Sequence, residues 1–67
     1  MIKNDIGAHA GNILNLLANH GKLSIRKIGE FIHRRDSVIS LALGWLLKEN
    51  KIHAVEDNGE LFFELNN

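Results

Sequence analysis

The chain has 67 residues, 45% of them hydrophobic, with no Cys, no Pro, and eight basic residues balancing eight acidic ones. That length holds one domain, residues 1–67, with a single core near the lower limit for folding without staples. The lack of Cys excludes disulfides, thiolate zinc sites and redox motifs, and the mix of apolar and charged residues excludes a disordered segment. The longest apolar stretch, Leu41 to Leu47, contains Gly44 and is too short to span a bilayer. The opening MIKND meets an acid at once and has no apolar run, so no secretory signal is read and a cytoplasmic protein is expected.

Asp5 stands where an N-cap would, before Ile6, Ala10, Ile13, Leu14 and Leu17, whose spacing gathers them on one face of a first helix. Asn12, Asn15 and Asn19 fall on the other face, and Gly21 ends the helix as a C′ residue does. Gly7 and Gly11 lower helix propensity and leave room for another element to approach. Lys22 to Ser24 is long enough only for a bridging strand. Ser24 caps a second helix with Ile25, Ile28 and Ile32 inward and Arg26, Lys27 and Glu30 outward. His33-Arg34-Arg35 is a polar break, after which Asp36 or Ser37 caps a third helix running to about Asn50, with Lys48 near its C-terminal end.

The last segment changes period from 3.6 to 2. Ile52 to Asp57 and Glu60 to Leu65 flank Asn58-Gly59, the pair that a type I′ hairpin turn favours because both residues need positive φ. A two-residue loop sets Asp57 opposite Glu60, Val55 opposite Phe62, Ala54 opposite Phe63, His53 opposite Glu64 and Ile52 opposite Leu65. Ile52, Ala54, Leu61, Phe63 and Leu65 then share one face, and His53, Val55, Phe62 and Glu64 the other.

This order of elements resembles a winged helix-turn-helix, an α+β fold of helix, short strand, helix, turn, helix and two-stranded hairpin wing. The stretch LSIRKIGEFIHRRDSVISLALGWLLKENKI is similar to the core of that fold, with Ile25, Ile28, Ile32, Ile39, Leu43, Leu46 and Ile52 at its buried positions. DNGELFFEL matches the wing. MIKNDIGAHAGNILNLL and LALGWL further resemble a family of small stand-alone bacterial winged-helix proteins of unknown function. Members of this fold serve as DNA readers and as protein-docking modules. The chain departs from the pattern in three places: the turn between helices two and three lacks a Gly, the wing tip is acidic, and the third helix is unusually apolar.

Charge is unevenly distributed. Residues 1–48 carry seven basic residues against three acidic, and residues 49–67 carry one against five. Lys22, Arg26, Lys27, Arg34 and Arg35 gather near the second helix and its turn as candidates for phosphate contacts with duplex DNA, and Ser37 and Ser40 are candidates to add phosphate or base contacts. In the third helix Ile39, Ala42, Leu43, Leu46 and Leu47 form the core stripe, and Val38, Leu41 and Trp45 extend it toward the side that normally enters the major groove. The polar arc that remains is Ser37, Ser40, Gly44 and Lys48. Base edges are read by Arg, Lys, Asn or Gln, so Leu41 and Trp45 suit that task poorly. Burial of Val38, Leu41, Trp45 and Phe62, widened by Phe31 or Val55, predicts a symmetric homodimer or a partner interface. Blander roles stay open: Trp45 in the core, the basic residues as a solvated face, Ser37 as a cap and Ser40 facing water.

The function expected from the fold is that of a small DNA-binding regulator. The alternative expected from the residues is a protein-interaction module whose third helix reads no DNA. His9 and His20 lie three turns apart and His33 and His53 bring no ligand cluster, so no metal is expected. The serines lack a base to activate them, Gly7 and Gly11 sit inside a helix rather than between a strand and a helix, and the helices lack a basic face opposite aromatics. No enzyme activity, cofactor, small-molecule ligand or membrane binding is therefore expected.

Overall fold

The computed structural model describes residues 2–66, with side chains from residue 7 onward. Among them the chain forms α1 (Ile2–His20), β1 (Leu23–Ser24), α2 (Ile25–Ile32), α3 (Asp36–Lys48), β2 (Ile52–Asp57) and β3 (Glu60–Leu65). This is the α+β order expected. The helix begins at Ile2, so Asp5 lies inside α1 and is not its N-cap. The expected side-chain roles of Asp5 and Ile6 lie outside the described residues.

Ala10, Ile13 and Leu17 are buried at the spacing that sets them on one face of α1, with Leu14 and Leu16 packed beside them. Gly21 takes φ 79°, open to a residue without Cβ, and its N–H donates to the Leu17 carbonyl at 3.0 Å to close the helix. A Cβ at Gly7 or Gly11 would meet nothing within 4 Å, so neither admits a neighbouring element as anticipated.

Ser24 caps α2, its Oγ accepting the Lys27 N–H at 3.2 Å. Ile28 is buried, Ile25 and Ile32 pack against the core, and Arg26, Lys27 and Glu30 are exposed. In the turn that lacks a Gly, His33 adopts the left-handed conformation (φ 63°), and its N–H donates to the Gly29 carbonyl at 2.7 Å. The αL cap is therefore present without its usual residue.

Neither Asp36 nor Ser37 caps α3. Arg35 occupies the N-cap position with no side-chain bond, and Asp36 is the first helical residue, where its charge complements the helix dipole. The helix stops at Lys48, short of Asn50. Asn50 turns left-handed (φ 61°) and donates to the Leu47 carbonyl while Lys51 donates to that of Leu46, both at 3.0 Å, a Schellman closure. Ile39, Ala42, Leu43 and Leu46 are buried, but Leu47 is not part of that stripe: one step of 100° beyond Leu46, it is 40% exposed.

The hairpin has the expected register at every pair from Ile52 with Leu65 to Asp57 with Glu60, and Asn58 (φ 54°) and Gly59 (φ 81°) form its turn. The short strand β1 adds to the outer edge of β3, pairing Leu23 with Phe63 and Ser24 with Phe62, so the sheet order is β1-β3-β2. Leu23, Ile52 and Phe63 are buried in the common core with the helices. Burial fades toward the wing tip on that same face, where Ala54 and Leu61 are exposed.

Candidate functional site

The surface that departs most from an ordinary solvated face is the outward arc of α3. At 100° per residue its centre is Ser37, Leu41, Gly44 and Lys48, opposite Ile39 and Leu46. Leu41 is 56% exposed, and Trp45, 46% exposed, is a surface residue and not a core one. The half-buried Val38 completes a row with them at i, i+3 and i+7, along one flank of the arc. The other flank carries Ser40 and Leu47, both exposed. Asp36 and Lys48 stand at the two ends of the helix, and neither has an ion-pair partner among the described residues.

The basic residues do not act as one cluster. Lys22 is committed to the wing: its Nζ lies 3.3 Å from Asp57 Oδ2 and 5.2 Å from the centre of the Phe62 ring. Lys27 pairs with Glu30 at 3.5 Å on the exposed face of α2. Arg26, Arg34 and Arg35 are exposed and have no carboxylate partner among the described residues. Ser37 and Ser40 are exposed on the arc of α3. The wing tip next to them in function, were this a DNA reader, is acidic, with Glu56, Asp57 and Glu60 exposed.

Phe62 is not brought to α3. The pleat turns it away from Phe63, onto the outer sheet face with Val55 and beneath Lys22. Phe31 lies on α2 and stacks on His20 with ring centroids 4.6 Å apart. It lines an open cleft of about 370 Å³ between α1 and α2 together with Asn12, Asn15, Leu16, Asn19 and Ile32. Reading the three asparagines only as a polar face missed this cleft. Their helical spacing opposite an aromatic residue was the available signal.

The His53 and Glu64 pair is part of a larger clasp. His53 Nε2 lies 2.9 Å from Glu64 Oε1, and Nδ1 contacts Asn66 Oδ1. Asn66 in turn donates to the Asn50 carbonyl at 2.9 Å and to the Ile52 carbonyl at 3.2 Å. Two acceptors, Asn66 first and Glu64 second, hold the imidazole above its ordinary value. His9 Nδ1 is buried with no hydrogen-bond partner, and among the described residues no three His, Asp or Glu side chains come together as metal ligands. Among them, too, no helix is long and apolar enough to cross a membrane.

Residues 1–65 match the family model described as Winged helix-turn-helix domain (DUF2582). The chain is similar to the solution NMR structure of protein BT2368 from Bacteroides thetaiotaomicron. The TM-score is 0.85, with 29% identity, and the match covers 97% of this chain and 79% of that one. No curated protein matches.

Proposed function

We propose that this chain, which belongs to the winged helix-turn-helix family DUF2582, is a homodimeric interaction module whose α3 is given over to self-association. The observation that carries this reading is the exposure of Leu41 and Trp45 on the helix that reads DNA in the fold's usual role. Side chains of this size contribute about 1.5–3 kcal/mol each when fully buried, so leaving them in water forgoes much of what a small core can supply. Zero net charge at pH 7 removes the repulsion that would keep copies apart. Sedimentation equilibrium at low and moderate salt tests the reading. The wild type should be a dimer and Leu41→Glu a folded monomer. A monomeric wild type, or association unchanged by Leu41→Glu, overturns it.

A second reading, a small DNA-binding regulator, is favoured by the exposed Arg26, Arg34 and Arg35 around the turn between α2 and α3. With Lys27, Ser37 and Ser40 they supply phosphate contacts, which position a protein on duplex DNA without reading its sequence. The acidic wing tip and the apolar arc oppose base reading. This reading expects weak, salt-dependent binding, with Arg34→Ala or Arg35→Ala each reducing the slope of log affinity against log salt by about one. Folded protein that binds no duplex at low salt removes it. The two readings coexist if DNA meets the dimer only through phosphates.

A further inference from the structure

We propose that the outer edge of β2 takes up an extended, basic segment of a partner protein as a further strand of the three-stranded sheet. The proposal concerns the wing and does not rest on the self-association reading.

The hydrogen-bond phase of the hairpin decides which backbone groups are free. The Asn66 N–H donates to the Lys51 carbonyl at 3.0 Å. Along an antiparallel pair, residues that exchange bonds alternate with residues that do not. In the observed register His53, Val55 and Asp57 therefore bond to β3, whereas Ile52, Ala54 and Glu56 turn their N–H and C=O groups outward. The two-residue turn after Asp57 requires the same phase. The Asn66 side chain reaches the Ile52 carbonyl at 3.2 Å, and no group among the described residues bonds to the outward backbone of Ala54 or Glu56. The opposite edge is closed differently, since β1 pairs with β3 at Phe63 and its chain then turns into α2. Pro, Lys and bulges are common devices for blunting an edge, and β2 has none of them.

Charge identifies the occupant. Residues 52–65 contain four acidic residues and no Lys or Arg. Asp57 pairs with Lys22 and Glu64 with His53, whereas Glu56 and Glu60 are exposed without an ion-pair partner among the described residues. A second copy would bring four more acidic side chains to this edge, so the wing repels its own kind and attracts a basic strand. Laid antiparallel to β2, such a strand meets Asp57, Glu56, Val55 and Ala54 in its own order from N- to C-terminus. Its first two positions call for basic side chains. The third lies beside the half-buried Val55 on the outer face, and the fourth beside the exposed Ala54 on the face where burial fades. The segment reads basic, basic, apolar, apolar.

The peptide acetyl-TRKVLTT-amide carries that pattern and tests the proposal by titration into the isotope-labelled whole chain. It should bind saturably below about 1 mM, shifting amide signals along β2 and slowing exchange at Ala54 and Glu56. N-methylation of its lysine and leucine, whose N–H groups face β2 in this register, should abolish binding. N-methylation of its arginine and valine, whose N–H groups face away, should leave binding within about threefold. Glu56→Lys should weaken binding about fivefold or more. Ala54→Pro removes an outward N–H, leaves every β2–β3 bond in place and should abolish binding in a folded chain. The methylated peptides change nothing in the protein, so they decide the matter if Ala54→Pro does not fold. Absence of binding, equal loss with both methylation patterns, or shifts confined to other elements overturns the proposal. Slowed exchange at Ala54 and Glu56 in the protein alone, lost on dilution, assigns the edge to a second copy and overturns it too.

Discussion

The helices α2 and α3 sit side by side in one core and spend their outer faces in opposite ways. In α2 the apolar Ile25, Ile28 and Ile32 pack toward the core, the outer face carries Arg26, Lys27 and Glu30, with Lys27 and Glu30 paired, and the one exposed large apolar side chain, Phe31, stacks on His20 of α1. In α3 an equally well buried stripe of Ile39, Ala42, Leu43 and Leu46 is backed by exposed Leu41, Trp45 and Leu47. Apart from Phe31, which His20 partly covers, α2 presents polar side chains to water, whereas α3 leaves three large apolar side chains outside. In a 67-residue chain with no disulfide available, apolar side chains left outside the core are a reserve of stability that only a second molecule releases.

The strongest test of that contrast asks whether the two inner faces are equivalent before the outer ones are compared. Ile28→Ala in α2 and Leu43→Ala in α3 each remove a buried side chain, and each should lower unfolding stability by about 2–5 kcal/mol in urea titration. If Leu43→Ala costs far less than Ile28→Ala, α3 is not anchored in the core as described. The outer faces should then separate. Trp45→Ala should weaken association about 10- to 100-fold, roughly 1.4–2.8 kcal/mol, because aromatic anchors dominate small interfaces. Arg26→Ala, at the corresponding outer position of α2, should leave association unchanged. Equal effects of the two, read by sedimentation, would erase the distinction between the helices.

The same contrast marks what could be read in the residues beforehand. The hairpin was legible to the register because period two, bounded by Asn58-Gly59, admits one pairing. The α2 helix was legible because its polar and apolar residues separate cleanly. In α3 apolar residues run nearly all the way round, so the pattern carries little phase and sets Leu47 in the core stripe although it is 40% exposed. Its ends were hidden for a related reason: Arg35 and Asn50 close the helix through backbone geometry, without the cap side chains that sequence reading looks for. The Asn66 clasp joins residues far apart in the chain, and no local pattern reports it. The arc of α3 is legible from helical spacing, but the loss of Lys22 to Asp57 and the separation of Phe62 from α3 depend on the fold.

The two helix starts offer a smaller test of the comparison. Ser24 caps α2 with a hydrogen bond to the Lys27 N–H, and Ser24→Ala should cost about 1 kcal/mol. Arg35, in the extended conformation at the start of α3, makes no such bond, so Arg35→Ser should raise stability by several tenths of a kcal/mol up to about 1. Urea titration of both proteins checks the pair of signs. If Arg35→Ser destabilises, the arginine has a structural role that its exposed position does not reveal.

The smallest expected effect uses the wing as a control for α3. Hydrogen bonds to Asn66 and Glu64 favour the protonated form of His53, so its folded value lies above its ordinary 6.5. A group raised on folding contributes stability that is fully present below the unfolded value and is lost as pH rises through the folded one. Melting temperature should therefore fall slightly for the wild type as pH rises from about 6 to about 8, relative to His53→Gln, with the subtraction removing the other histidines. Glu64→Gln should diminish the same difference, since it removes one of the two acceptors. Association through α3 should not follow this titration. Its outward arc contains no His. An association constant that tracks His53 across the same pH range would move the interface from α3 to the outer face of the sheet, where His53, Val55 and Phe62 lie together.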